Sequence, residues 1–252
     1  MKEISVRVGM LDVNVHVGGC IEGDALIFLH GFCANTRFYS KLHSSLLEIS
    51  DNLLILAPEY SRLRVQPKTI HEYIDFVQST IHELSRYYDL EEYDMLGHSL
   101  GGTISLYLAA NEEKARSAIA MNPIIPTGET LMERVKTLLR KGPRELMQLA
   151  VNEKFSLIGL TSSWLVNLVH DKEATLELVL DALNHEYELS NLMDKPAHIL
   201  YGKNDVLFYD ERMVADFAER KGISLRILPW GHNWPITRPK QCAEEIRNVY
   251  DS

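Results

Sequence analysis

The sequence is poor in the residues from which cross-links and metal centres are built. Its three cysteines, Cys20, Cys33 and Cys242, are widely separated and form no C-x-x-C pair, and its ten histidines include no H-x-x-x-H spacing. Disulfide frameworks need an even set of cysteines at short spacings, and zinc sites need clustered ligands. The sequence therefore predicts neither disulfides nor a bound metal, which is typical of proteins of the reducing cytosol.

Long apolar runs and an excess of positive charge are also missing. No stretch approaches the ~18 apolar residues of a membrane helix. The start of the chain, MKEISVRVGMLDVNVHVGG, alternates polar and apolar residues and lacks the apolar segment of a signal peptide. A net charge of −9 gives no attraction to phosphate backbones or anionic lipid. We expect a cytoplasmic protein that neither spans a membrane nor binds nucleic acid.

Short apolar runs, each ended by Gly, Pro or His, recur along the chain. They are typical of strands buried on both faces of a parallel sheet. Helical patterns at 69–88 and 209–220 lie between some of them, and a period-two pattern at 4–17 predicts a hairpin before them. The alternation predicts an α/β fold with a mostly parallel central sheet flanked by helices. The runs are ALIFLH (25–30), LLILAP (53–58), YDMLGH (93–98), SAIAMNP (117–123), AHILYG (197–202) and LRILPW (225–230).

Residues 123–195 interrupt this alternation with a helical pattern too long for a single crossover. We interpret them as an inserted helical cap, or lid, on a core domain made of residues 1–122 and 196–252. Most apolar side chains in such a segment pack between helices, but some line the substrate pocket beneath it. The pocket candidates are Met132, Met147, Phe155 and Trp164.

The cap also contains a basic run, RVKTLLRKGPR, in an otherwise acidic chain. Such a run is usually a solvated helix face. The alternative is a docking patch for an acidic carrier protein or an anionic substrate tail. The basic residues are Arg134, Lys136, Arg140, Lys141 and Arg144.

A serine between glycines, in GHSLGG at 97–102, joins a predicted buried strand to a predicted helix. A G-x-S-x-G turn in that position presents the serine hydroxyl above the sheet as a nucleophile. The other reading of Ser99 is a small residue required by tight packing of the helix on the strand. Cys33 is a second possible nucleophile, but the sequence places no base beside it.

A serine nucleophile needs a base and a group that orients the base. Asp205 and His232 each follow a predicted strand, and ligand sites in open α/β sheets lie at the carboxyl ends of the strands. Asp205 could instead be a turn residue, with Asp210 or Asp194 as the acid.

Backbone N–H groups that bind an oxyanion complete such a site. We assign them to Phe32, which follows His30 and Gly31, and to Leu100, which follows the nucleophile. His30 and His98 flank the site, and we interpret both as structural residues that support it.

These motifs resemble those of the α/β-hydrolase superfamily over nearly the whole chain, in the order Ser99, Asp205, His232. The resemblance implies serine chemistry without a cofactor. Some relatives place the acid after the sixth strand, where this chain has Asn122, and this favours Asp205. The motifs are HGF (30–32), GHSLGG (97–102), YGKND (201–205) and GHNWP (231–235).

The predicted function is hydrolysis of a small-molecule carboxylic ester or thioester through an acyl-enzyme, as in the carboxylesterases. Two alternatives remain open at this point. The same triad serves C–C bond hydrolases, acyltransferases and perhydrolases, and the fold also occurs as a non-enzymatic small-molecule receptor, in which the triad would be broken.

Overall fold

The computed structural model describes residues 1–31, 34–60, 69–125, 181, 189, 194–205 and 211–251. Eight strands in these residues form a single sheet in the order β1-β2-β4-β3-β5-β6-β7-β8. The β1–β2 and β2–β4 pairs are antiparallel, and every other neighbouring pair is parallel. The strands are β1 (Lys2–Val8), β2 (Leu11–Gly19), β3 (Asp24–Leu29), β4 (Leu53–Pro58), β5 (Tyr93–His98), β6 (Ala115–Met121), β7 (Ala197–Gly202) and β8 (Ser224–Leu228).

Helices cover both faces of this sheet. In the helix after β4, Thr69 caps the first turn by accepting a hydrogen bond from the Glu72 N–H, and one face is buried against the sheet. The described helices are α1 (Ser40–Ile49), preceded by a short 3-10 helix (Thr36–Tyr39), and α2 (Ile70–Tyr87), α3 (Leu100–Asn111), α4 (Glu211–Lys221), α5 (Trp234–Thr237) and α6 (Pro239–Tyr250).

The predicted fold class is confirmed, including the amino-terminal hairpin and the parallel strands after it. One detail was wrong. The run at 225–230 is not a strand buried on both faces, because β8 is the last strand of the sheet and has a neighbour on one side only. Leu228 is buried, but Ile227 is 38% exposed.

The strand order brings the predicted site residues to one edge of the sheet. β3, β5, β6, β7 and β8 run parallel and lie side by side, so their carboxyl ends meet along that edge. His30, Ser99, Asn122, Asp205 and His232 follow these strands in the same order. Residues far apart in the chain are thereby collected in one place.

Several predictions concern residues outside the described ranges. They are the cap apart from a few of its residues, the nucleophile alternative Cys33, the acid alternative Asp210, the oxyanion donor Phe32, the pocket candidates Met132, Met147, Phe155 and Trp164, and the basic run at 134–144. The cap boundaries of 123 and 195 stay predictions. No helix in the part of the chain that the structure describes is long and apolar enough to cross a membrane.

Candidate active site

Ser99 lies in a sharp turn between β5 and α3. Its φ of 55° and ψ of −123° are unusual for a residue with a side chain. Hydrogen bonds hold this strained conformation, because the Ser99 N–H donates to the Met121 carbonyl at 2.8 Å and the Ser99 carbonyl accepts from the Thr103 N–H at 3.1 Å. Such strain is usually retained where it serves a function.

The glycines of the motif are required by close backbone approach. A β-carbon at Gly97 would lie 2.2 Å from the Gly101 carbonyl oxygen, and one at Gly101 would lie 2.2 Å from the Leu29 carbonyl oxygen. No side chain fits in either gap. Glycine at both positions lets α3 begin directly against β3 and β5, and this places Ser99 at the end of the sheet.

Two backbone elements lie beside Ser99. Leu100 is the first residue of α3, so its N–H belongs to the helix end that lacks intrahelical partners and carries partial positive charge. On the other side, a β-carbon on Gly31 would come within 3.3 Å of the Ser99 β-carbon. The Gly31 carbonyl accepts hydrogen bonds from His30 Nδ1 at 2.9 Å and from the Ala34 N–H at 3.1 Å.

Asp205 and His232 form a buried pair. His232 Nδ1 lies 2.7 Å from Asp205 Oδ2, and each residue is only 4% exposed. The turn that carries Asp205 is closed by its own N–H, which donates to the Gly202 carbonyl at 2.8 Å. Asp194, the alternative acid in the described part of the chain, is exposed. Asp205 is thus the carboxylate that meets the imidazole.

A buried hydrogen-bonded chain runs behind Ser99. His98 Nε2 lies 2.9 Å from the His232 carbonyl oxygen, which can only accept, so Nε2 carries the proton. His98 Nδ1 must then accept from the Tyr39 hydroxyl at 2.7 Å. The Tyr39 oxygen in turn accepts from the Gly31 N–H at 3.3 Å. The chain fixes the tautomer of His98 and links the Gly31 loop to the His232 loop.

Burial keeps His98 neutral. The imidazole is withdrawn from water, and this desolvation, reinforced by the nearby His232, holds the pKa of His98 well below its usual value. The hydrogen bond to the His232 carbonyl works in the opposite direction, with a smaller effect. His98 is therefore suited to a fixed hydrogen-bonding role rather than to proton transfer.

Asn122 joins the two turns that carry the acid and the base. Its Nδ2 donates to the His232 carbonyl at 2.8 Å and lies 3.3 Å from the Gly231 carbonyl, while its Oδ1 accepts from the Gly202 N–H at 2.7 Å. The residue is fully buried and has a φ of 45°. Asparagine tolerates that backbone conformation better than most residues.

Sequence reasoning missed Tyr39 altogether and noticed Asn122 only as a position without an acid. No local pattern marks Tyr39, since it lies in a short helix outside the four motifs. Asn122 carried a weak signal, because it directly follows a buried strand at the edge where sites form. His30 and His98 both hydrogen-bond backbone groups, as the sequence analysis expected of supporting residues.

The described residues therefore hold a serine on a strained turn, a helix amino terminus beside it and, at the same edge of the sheet, an imidazole oriented by a carboxylate. Such an arrangement supports nucleophilic attack by an activated hydroxyl. The same residues contain no group of three or more His, Cys, Asp or Glu side chains that could hold a metal ion.

Solved structures of other proteins share this fold. The chain superposes on a 2-hydroxy-6-oxo-6-phenylhexa-2,4-dienoate hydrolase from Rhodococcus sp. strain RHA1 with a TM-score of 0.76 and 17% identity, covering 100% of this chain and 99% of that chain. A carboxylesterase from Bacillus subtilis gives 0.71 at 16% identity, covering 99% and 91%. A bromoperoxidase from Bacillus anthracis gives 0.75 at 12% identity, covering 100% of both.

These identities are low, so the superpositions establish the fold and leave the reaction open. A search of the curated protein sequences finds no match. The family comparison is more specific, because the model of the "Alpha/beta hydrolase family" matches residues 26–245, which include the serine turn, the carboxylate and the imidazole. The chain belongs to the alpha/beta hydrolase family.

Proposed function

We propose that this protein is a serine hydrolase that cleaves a carboxylic ester or thioester through an acyl-enzyme. The observation that carries the proposal is the 2.7 Å hydrogen bond between buried His232 Nδ1 and Asp205 Oδ2, at the sheet edge where Ser99 occupies its strained turn. Without a paired base, a serine hydroxyl is a poor nucleophile at neutral pH.

In the first half of the reaction, Ser99 Oγ attacks the substrate carbonyl carbon and its proton passes to His232 Nε2. Asp205 holds the proton on Nδ1, which leaves Nε2 free to act as the base, and it stabilises the imidazolium that forms. The tetrahedral intermediate then expels the alcohol or thiol, which takes the proton back from His232. The acyl group remains on Ser99.

The second half repeats these steps with water. His232 removes a proton from a water molecule, the hydroxide attacks the acyl carbon, and the Ser99 oxygen leaves with the proton from His232. The Leu100 and Phe32 N–H groups are the proposed oxyanion donors in both halves. Loss of one such donor typically lowers kcat by 10²- to 10³-fold.

We assign the selection of the substrate to the segment 123–195, as a helical cap over this edge of the sheet. An apolar pocket under such a cap suits an acyl chain, and the pocket candidates Phe155 and Trp164 fall in this segment. We assign the basic run at 134–144, in the same segment, as a docking patch for an acidic carrier protein or an anionic substrate tail.

Two assays test the proposal together. A fluorophosphonate probe should label the wild-type protein and fail to label Ser99→Ala, while both proteins keep the same melting temperature. A panel of p-nitrophenyl esters from acetate to palmitate, with acyl-CoA thioesters beside it, should reveal turnover that Ser99→Ala lacks. An unlabelled wild-type protein would indicate the receptor alternative, and an active Ser99→Ala protein would eliminate the mechanism.

The same triad chemistry also serves C–C bond hydrolysis, acyl transfer and perhydrolysis, and the products distinguish these reactions. Incubation with a diketone substrate, a competing alcohol or peroxide, followed by mass spectrometry, identifies the bond that breaks. Labelling at Ser99 without turnover of any ester or thioester would favour these alternatives over esterase activity.

A further inference from the structure

Both acceptor directions of one backbone carbonyl at the site are occupied by side chains from neighbouring strand ends. The His232 carbonyl oxygen accepts from Asn122 Nδ2 at 2.8 Å and from His98 Nε2 at 2.9 Å. A carbonyl oxygen has two lone pairs, so these bonds use its whole capacity. They fix the backbone of the residue whose imidazole is the proposed base.

We propose that Asn122 and His98 are positioning residues, which set the imidazole of His232 by holding its own carbonyl from two sides. The proposal rests on the proposed function for the role of His232 as base. It extends that function by assigning the placement of the base to Asn122, which bonds the His232 backbone, and to His98, which bonds the same carbonyl and whose ring lies 4.9 Å from the His232 ring.

Asn122 couples this carbonyl to the acid. Its Oδ1 accepts from the Gly202 N–H at 2.7 Å, and the Gly202 carbonyl accepts from the Asp205 N–H at 2.8 Å. One side chain therefore joins the turn of Asp205 to the loop of His232, and the amide is used as both donor and acceptor. Displacement of Asn122 would therefore change the distance between His232 Nδ1 and Asp205 Oδ2.

His98 can donate to the carbonyl only as the Nε2–H tautomer. Tyr39 enforces that tautomer, because its hydroxyl donates to Nδ1 while its oxygen accepts from the Gly31 N–H. All of these groups are buried, so water does not compete for them. Tyr39 thus acts through His98, and loss of its hydroxyl should weaken the hold on His232.

The first test compares two identical substitutions of buried histidines. His98→Leu removes the donor to His232, whereas His43→Leu removes a histidine whose ring nitrogens have no hydrogen-bond partner among the described residues. We expect His98→Leu to lower kcat and kcat/KM together, by up to about 100-fold, with KM unchanged, since small displacements of catalytic groups have effects of that size. His43→Leu should keep wild-type kinetics, and His98→Gln, which retains a donor, should recover part of the loss.

The second test uses Asn122→Asp, which matches Asn122 in shape and tolerates its positive φ. It keeps an oxygen acceptor for Gly202 but removes the N–H donor to His232. We expect a loss of kcat similar to that of His98→Leu. Because a buried carboxylate can also destabilise the fold, the His98 pair keeps the proposal testable if Asn122→Asp fails to fold.

A readout that does not need turnover separates this proposal from the proposed function. The His232 Nδ1 proton, hydrogen-bonded to Asp205, should give a downfield NMR resonance that is absent in His232→Gln. It should broaden in His98→Leu and in Asn122→Asp and stay sharp in His43→Leu. If His98→Leu leaves the His232 Nδ1 proton resonance unchanged and keeps kcat within about threefold of the wild-type value, the positioning role is overturned. A wild-type protein that resists fluorophosphonate while the variants broaden this resonance would overturn the function and leave the positioning intact.

Discussion

Replacing His43 should remove a specific part of the protein's sensitivity to acid. His43 lies on the buried face of α1, with its ring 4.6 Å from that of Phe28, and is 1% exposed. Burial, reinforced by the nearby His16 and the amino terminus, lowers the pKa of His43 to about 3 from 6.5. The folded protein therefore keeps this imidazole neutral at pH values where the unfolded chain protonates it.

The sign and size of the effect follow from linkage. A group with a lowered folded-state pKa contributes stability above its unfolded pKa and loses it as pH falls. A pH of 5 lies about 1.5 units below the pKa of 6.5 that the imidazole has in the unfolded chain, so the unfolded imidazole is protonated. In the folded protein the imidazole is still neutral at that pH. At about 1.4 kcal/mol per unit, His43 should lower the free energy of unfolding by about 2 kcal/mol between pH 7 and pH 5.

Urea unfolding of the wild type and His43→Leu at pH 7 and pH 5 measures this contribution. The variant should lose about 2 kcal/mol less than the wild type over that interval. The cost of repacking leucine cancels, because it is the same at both pH values. His43→Phe should give the same difference, since neither replacement titrates.

Equal losses in the wild type and both variants would refute the argument. Other buried groups, including His98, also contribute to acid sensitivity, since burial lowers the pKa of His98 as well. They remain in every protein compared, so they do not enter the difference. The free energy of unfolding should fall linearly with urea concentration, with the same slope for each protein at each pH. Equal slopes show that every protein exposes the same amount of surface on unfolding.

Four further predictions concern catalysis. Asp205→Asn should lower kcat by about 10⁴-fold, as that change does in serine proteases, and a loss below about tenfold would make Asp205 a turn residue. Adding Asn122→Asp to the Asp205→Asn variant should not restore activity, because Asn122 Nδ2 bonds the backbone carbonyls of Gly231 and His232 rather than the imidazole ring. A gain in kcat over Asp205→Asn alone would contradict this geometry. In Gly202→Ala, the new β-carbon would lie 2.5 Å from the Trp230 carbonyl oxygen and displace the loop that carries His232. We therefore expect kcat to fall at least tenfold and the folded variant to react more slowly with the fluorophosphonate probe. Wild-type kinetics would show that the loop adapts to the β-carbon. Trp164→Ala should change the chain-length preference in kcat/KM across the p-nitrophenyl esters by up to about tenfold, and an equal change for all chain lengths would argue against a pocket role.

The sequence by itself determined the strands, the helices that follow β4, β5 and β7, and the positions of the candidate site residues along them. Continuous apolar runs identify buried parallel strands because both faces of such strands are covered. The glycines around Ser99 identify the turn because their backbones touch neighbouring chain segments. These are local properties, set by side-chain size and by the backbone conformations that glycine permits, so they can be recognised in a linear sequence.

Only the tertiary structure decided which side chains meet. The hydrogen bond between His232 and Asp205 spans 27 residues, the one between Tyr39 and His98 spans 59, and the one between Asn122 and His232 spans 110. The order of the strands in the sheet brings these residues together, and no local pattern encodes that order. The exposure of β8 has the same origin, because a strand's burial depends on its neighbours as well as on its own residues.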